Sequence, residues 1–320
     1  MKISTYLLGT LSLFVIGCQE LPKSIQEDSV FFLPPPTTYN TLEVNGVDLF
    51  YREAGDPKKP TIVLLHGYPS SSHSYRNLIP MLASQYHIIA PDNLGSGYSD
   101  HLNPETTTYT FDLLAEYTNE LLDELKITNY TLYMQDFGAP VGYRMMMKDP
   151  EKIDALIVQN ANAYLDGLTQ ERQAFFKKAQ EDTSEEELDF LYHITSEEVI
   201  INKQYLFDLE TTNYNIQSPD AWTHDLTFLN TRADRLIQVQ LFQDYYNNLL
   251  AYPTWQKMLK ETQPKTLIVW GAKDVKFNAN GAKAYLKDLP NAELHLLDAG
   301  HFAEEEKTRD IALLILNFLE

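Results

Sequence analysis

The segment Thr131-Leu132-Tyr133-Met134-Gln135-Asp136-Phe137-Gly138-Ala139 decides how this 320-residue chain folds. Its first five residues, Thr131–Gln135, make an apolar run of strand character, and Ala139–Lys148 continue as a helix. Between the two stands a carboxylate. A side chain on a sharp strand-to-helix turn is exposed, and the N-terminus of the following helix lies behind it and favours negative charge. The serine version of such a turn reads G-x-S-x-G; here Asp136 holds the serine position and Met134 replaces the first glycine. Taken alone, the same residues also fit an aspartate that merely caps a helix.

Outward from this turn, strands and helices alternate. Thr41–Val44 and Val47–Glu53 flank Asn45-Gly46, a hairpin signal. Thr61–Leu65, His87–Pro91 and Ala155–Gln159 read as buried strands, and Ser74–Ser84 and Phe111–Leu125 as helices. Such alternation predicts a mostly parallel central sheet with helices on both faces. It breaks from about 161 to 252, a helical, Tyr- and acid-rich stretch, and resumes with Thr266–Trp270, Gly281–Leu289, Glu293–Leu297 and Thr308–Leu319. A helical insertion of this kind is expected as a cap over the strands' C-terminal edge, where open sheets bind ligands.

Three further segments follow predicted strands: His66-Gly67-Tyr68-Pro69, Trp270-Gly271-Ala272-Lys273-Asp274 and Gly300-His301-Phe302. Asp136, Asp274 and His301 thus stand in the chain order nucleophile, acid, base. With the loop Ala90-Pro91-Asp92-Asn93-Leu94-Gly95-Ser96-Gly97-Tyr98-Ser99-Asp100, they make residues 41–320 similar to the α/β-hydrolase superfamily. Within it the chain resembles the branch with an aspartate nucleophile, the epoxide hydrolases and haloalkane dehalogenases. The resemblance implies an α/β-hydrolase fold, a catalytic triad of Asp136, Asp274 and His301, and an oxyanion hole made by the N–H groups of Tyr68 and Phe137. It also implies a cis peptide between Tyr68 and Pro69, and no cofactor. Some dehalogenases carry the acid after the sixth strand; here Asn160 and Asn162 occupy that place and Asp166 lies further on, so Asp274 is preferred.

The residue type sets the chemistry. A carboxylate attacks a saturated carbon and forms an alkyl-enzyme ester. His301 would then deprotonate the water that attacks the Asp136 carboxyl carbon, while Asp274 fixes the imidazole tautomer. For the leaving group, the resemblance points two ways. Dehalogenases hold the halide with side-chain N–H donors, but Phe137 and Tyr68 fill the usual donor positions. Epoxide hydrolases protonate the ring oxygen with cap tyrosines, and Asp244-Tyr245-Tyr246-Asn247-Asn248 is similar to the family segment that carries one. Tyr246 is the expected donor, with Tyr164, Tyr192 and His66 as further candidate substrate contacts. Epoxide hydrolysis of a small hydrophobic substrate leads; dehalogenation, another ester-type hydrolysis and a catalytically silent binding protein are the alternatives.

Composition narrows the field. With 25 Lys+Arg against 45 Asp+Glu and a net charge of −20, the chain offers no basic surface for nucleic acid. The eight histidines lack metal-binding spacing, and Cys18 is the single cysteine, so an intramolecular disulfide is excluded. Lys2, the apolar run Leu7–Ile16 and the closing Val15-Ile16-Gly17-Cys18 resemble a bacterial lipoprotein signal. The expectation is a signal peptide over 1–17, lipidation at Cys18, a tether over 18–40, and a protein exported and lipid-anchored to a membrane.

Overall fold

The computed structural model describes residues 34–210 and 215–320. The expected signal peptide, Cys18 and most of the tether therefore lie outside the described residues. Among the described residues no helix is long and apolar enough to cross a membrane.

Eight strands form one sheet in the order β1-β2-β4-β3-β5-β6-β7-β8. They are β1 (Thr38–Val44), β2 (Val47–Ala54), β3 (Thr61–Leu65), β4 (His87–Pro91), β5 (Tyr130–Gln135), β6 (Ile153–Gln159), β7 (Thr266–Gly271) and β8 (Glu293–Leu297). The pairs β1–β2 and β2–β4 are antiparallel, and every later pair is parallel. Asn45 and Gly46 both take positive φ, 53° and 80°, as a two-residue hairpin turn requires. Because β1 starts at Thr38, the sheet takes the last three residues of the expected tether.

Period-2 alternation divides the central strands between two apolar cores. Val63 and Leu65 of β3, Leu132 and Met134 of β5, and Ile268 and Trp270 of β7 face one core. Ile62 and Leu64, Tyr133, and Leu267 and Val269 face the other. Numbering helices of eight residues or more, α1 (Phe111–Glu124) and α2 (Gly138–Lys148) cover the first face. The C-terminal helix Thr308–Leu319 covers the second with Ile311, Ile315 and Phe318. The helix expected over Ser74–Ser84 is a 3-10 turn, Ser72–Tyr75, and a short helix, Ile79–Leu82. That over Gly281–Leu289 is likewise split, into Asn280–Ala284 and Tyr285–Lys287.

Between β6 and β7 the chain forms the cap helices α3 (Gln170–Glu181), α4 (Glu185–Ile194), α5 (Pro219–Thr227) and α6 (Arg232–Thr262). A capping box at Thr231 and Asp234 starts α6. The helix runs ten residues past the expected end of the insertion at 252, continuing through Pro253. It is tied to the body along its length. Gln240 accepts from the Tyr109 N–H at 2.8 Å, Asp244 from the Phe111 N–H at 2.8 Å, and Asn248 from Arg144 at 2.8 Å.

Candidate active site

Asp136 follows β5 directly and has φ 47°, the left-handed region that a non-glycine residue enters only where its surroundings force it. Two glycines make room for that turn. A Cβ on Gly67 would lie 2.4 Å from Asp136 Cβ, and one on Gly138 would lie 2.3 Å from the Leu65 carbonyl oxygen. Met134, which stands where the serine pattern has glycine, is fully buried. Its sulfur fills the space beside Gly142, where a Cβ would come within 2.2 Å of it.

The Asp136 carboxylate is held on both oxygens. Oδ1 accepts from the Tyr68 N–H at 2.8 Å, and Oδ2 lies 3.4 Å from His301 Nε2. His301 Nδ1 is 2.7 Å from Asp274 Oδ2. Asp274 in turn accepts from the N–H groups of Lys276 (2.8 Å) and Phe277 (2.9 Å), and from Asn160 Nδ2 at 2.7 Å. The peptide between Tyr68 and Pro69 is cis. Asp166, the other candidate acid, pairs instead with Lys287 on the surface at 2.7 Å.

Electrostatics follow from this geometry. Burial by itself would lower the His301 pKa. The field of Asp274 and hydrogen bonds to Asp136 and Asp274 overcome that effect and push it up to about 10. His301 is therefore an imidazolium between two carboxylates at neutral pH. Asp274 is held below its usual range: burial alone would raise it, but the charge and hydrogen bond of His301 more than offset that.

The backbone also brings the Asp274 loop against the His301 loop. A Cβ on Gly271, at the end of β7, would sit 1.8 Å from the Gly300 carbonyl oxygen. The loops that carry Asp274 and His301 therefore touch main chain to main chain.

Sequence reasoning missed Asn160. Its amide donates to Asp274 while its Oδ1 accepts from the Gly271 N–H at 3.0 Å, bridging the ends of β6 and β7. Its place after β6, where some relatives of the resemblance carry the acid, was the available signal. Beneath the site Gln159 donates to Glu304 Oε2 at 2.5 Å.

A cavity of about 440 Å³ opens above Asp136. Its walls are aromatic: Tyr68, Phe137, Phe175, Phe176, Phe242 and Phe277. Charged groups also reach it, Arg172, Lys203 and Lys276 among them.

Among the described residues the cap tyrosines do not line this cavity. Tyr164 donates to Asp288 at 3.0 Å, and the Tyr192 ring lies 4.1 Å beneath the Arg232 guanidinium. Tyr246 is half-buried at the edge of the core. On α6 it is Phe242 that reaches the cavity, with Tyr245 stacked behind on Phe176 at 4.0 Å. His66 is not in the lining either. Its Nε2 accepts from the Asn93 N–H at 2.9 Å and its Nδ1 lies 3.0 Å from the Gly67 carbonyl, so it braces two loops.

The family described as alpha/beta hydrolase fold matches residues 60–308. The chain belongs to that family. This hydrolase is 39% identical over 284 residues to an uncharacterized hydrolase of Saccharomyces cerevisiae, an alignment covering 85% of this chain and 93% of that one. It is 28% identical over 288 residues to a haloalkane dehalogenase of Psychrobacter cryohalolentis, covering 87% and 89%. The solved structure of the epoxide hydrolase CorEH superposes with a TM-score of 0.70 at 20% identity, over 89% of this hydrolase and 99% of that chain.

Proposed function

We propose that this hydrolase works through an ester on Asp136. The observation that carries the reading is a carboxylate on the strand-to-helix turn, 3.4 Å from an imidazole that is itself 2.7 Å from a buried second carboxylate, at the floor of an aromatic cavity. One Asp136 oxygen attacks a substrate carbon and the bond from that carbon to the leaving group breaks. Esterification removes the Asp136 charge, and with it part of what keeps His301 protonated. Once His301 has passed its proton to solvent, it can take one from a water whose oxygen attacks the Asp136 carboxyl carbon; the bond from that carbon to the alkyl oxygen then breaks, and the product alcohol leaves with the proton that His301 took. The Tyr68 N–H, already on Oδ1, and the Phe137 N–H hold the oxyanion.

For the leaving group, an epoxide is the preferred reading, with its donor moved from the cap to the body. Tyr68 is the tyrosine of the described cavity lining. Burial raises its pKa, so its hydroxyl keeps its proton. That hydroxyl donates to the Ile194 carbonyl at 3.3 Å, and we assign it, turned to the substrate, the transfer of its proton to the opening ring oxygen. The haloalkane dehalogenase relative favours a second reading, in which halide leaves. That reading lacks an N–H donor in the side chains of Phe137 and Tyr68.

Mass spectrometry of His301→Gln after incubation with styrene oxide or 1-bromohexane tests both. The expected result is an adduct on Asp136 from the epoxide, with diol released by the wild type and no bromide from the haloalkane. Bromide release at or above the rate of diol formation promotes the halide reading, and no adduct from either substrate ends the ester mechanism. The resemblance of the run ending in Cys18 to a lipoprotein signal supports anchoring of the same domain to a membrane. Partition of wild type into the detergent phase, lost in Cys18→Ser, is the outcome expected.

A further inference from the structure

Arg172 sits in the first turn of α3, three residues from the cap residue Thr169, and lines the cavity above Asp136. Its guanidinium lies 5.8 Å from the ring of Phe175 and 5.9 Å from that of Phe176. The spacing i, i+3, i+4 puts all three on one helix face. Among the described residues the guanidinium makes no hydrogen bond or ion pair; only its backbone N–H is engaged, by the Thr169 hydroxyl. Burial lowers its pKa, and the fields of Asp274 and Asp136 act to raise it. A guanidinium out of bulk water without an anion carries a desolvation cost that the faces of two rings offset only in part.

The surroundings agree. The chain carries 45 acidic against 25 basic residues, yet among the described residues the cavity wall holds three Lys or Arg and one carboxylate, Asp136. Lys276 is already engaged, by the Gln204 carbonyl at 3.1 Å and Asp208 at 3.5 Å. Lys203 stands exposed over the Phe207 ring at 4.9 Å, placed to draw anions inward. Arg172 is the cation of the wall that still has a fork of N–H donors to offer, the geometry that suits a carboxylate.

We propose that Arg172 recognises a carboxylate on the substrate, so that this hydrolase takes small acids in which an apolar group and an electrophilic carbon sit beside that carboxylate. The turnover part of this proposal rests on the Asp136 ester reading; the binding part does not. His301 already balances Asp136, and a second negative charge in the cavity calls for a further cation with free N–H donors, which Arg172 supplies.

The test pairs ligands that differ by one charge. Calorimetry on the whole protein at low salt should find phenylacetate bound at least about tenfold more tightly than phenylacetamide, as one charge-assisted hydrogen bond gives. Arg172→Gln should erase that preference and leave phenylacetamide within about threefold, while Arg172→Lys keeps part of it. A thermal melt shows that the variants fold. In turnover, 3-phenylglycidate should surpass styrene oxide in kcat/KM, with the advantage lost through KM in Arg172→Gln. Equal binding of the two ligands overturns the proposal. So does an Arg172→Gln loss that is the same on both epoxides, or displacement of phenylacetate by bromide at equal affinity; these would make Arg172 a leaving-group residue. A carboxylate preference with no Asp136 adduct would defeat the ester reading and leave the recognition site standing.

Discussion

At the end of β5 and along α6, single residues decide what faces the cavity, but the two places fix them differently. Asp136 is held by main-chain geometry: a positive φ, glycines at 67 and 138 with no room for a Cβ, and an N–H from Tyr68. On α6 each residue is turned about 100° from the last. Phe242 faces the cavity, Tyr245 packs on Phe137 and Phe176, and Tyr246, one step further, is carried away. A strand-end loop converts chain order into position. A helix converts it into phase, and phase is set by what the other faces bury.

If this contrast is right, changes at the strand ends are the costliest. Asp136→Ala is expected to remove turnover by about four orders of magnitude or more, since such groups act as a unit. Asp274→Asn should cost about 10²–10⁴-fold by disturbing the His301 tautomer. Steady-state kinetics on an epoxide checks both, and Asp274→Asn within threefold of wild type would break the assignment. The next effect separates body from cap. Tyr68→Phe keeps its N–H and should still lower turnover by about 10²-fold, the scale of a lost acid catalyst. Tyr246→Phe, Tyr164→Phe and Tyr192→Phe should each stay within about threefold, because each hydroxyl lies outside the cavity. A larger loss in Tyr246→Phe would show that α6 turns on binding substrate.

The smallest effect concerns stability. Burial raises the Glu304 carboxyl from 4.5 to about 8, and His301 rises from 6.5 to about 10 despite burial, through Asp274 and Asp136. A group whose folded pKa is raised gives its full stabilisation below the unfolded pKa and loses it as pH climbs through the folded one. Glu304 accordingly loses its part between about pH 4.5 and 8, and His301 between about 6.5 and 10. The melting temperature should fall from pH 6 to pH 10. Glu304→Gln, which keeps the shape and removes the titration, should melt about 2–4 °C above wild type at pH 9. Scanning calorimetry at four pH values checks this; a steeper fall in the variant contradicts it.

The body of the fold was legible because its strands are short, apolar and punctuated. The alternation of the sequence becomes the two cores on either side of β3, β5 and β7. The loops that carry Asp136, Asp274 and His301 each follow a strand, so their convergence could be read from order alone. The cap was legible as helical and no further. Its tyrosines look interchangeable in sequence, and their fates depend on partners distant in the chain: Asp288 for Tyr164, Arg232 for Tyr192. Arg172 and Asn160 escaped for the same reason, since each draws its meaning from a neighbour that only folding supplies.

The contact between Gly271 and the Gly300 carbonyl reaches further than the site it braces. At that contact the two loops meet main chain to main chain, and position 271 has no side chain that could vary it. Sequence change can alter the wall residues, the cap and the mouth freely, and so retarget the cavity to a new substrate. At position 271 it has no such freedom, since any Cβ there meets the Gly300 carbonyl oxygen. In this hydrolase the cavity wall is an adjustable dial and the meeting of the Asp274 and His301 loops a fixed gauge, set by a hydrogen atom on Gly271 where other residues would carry carbon.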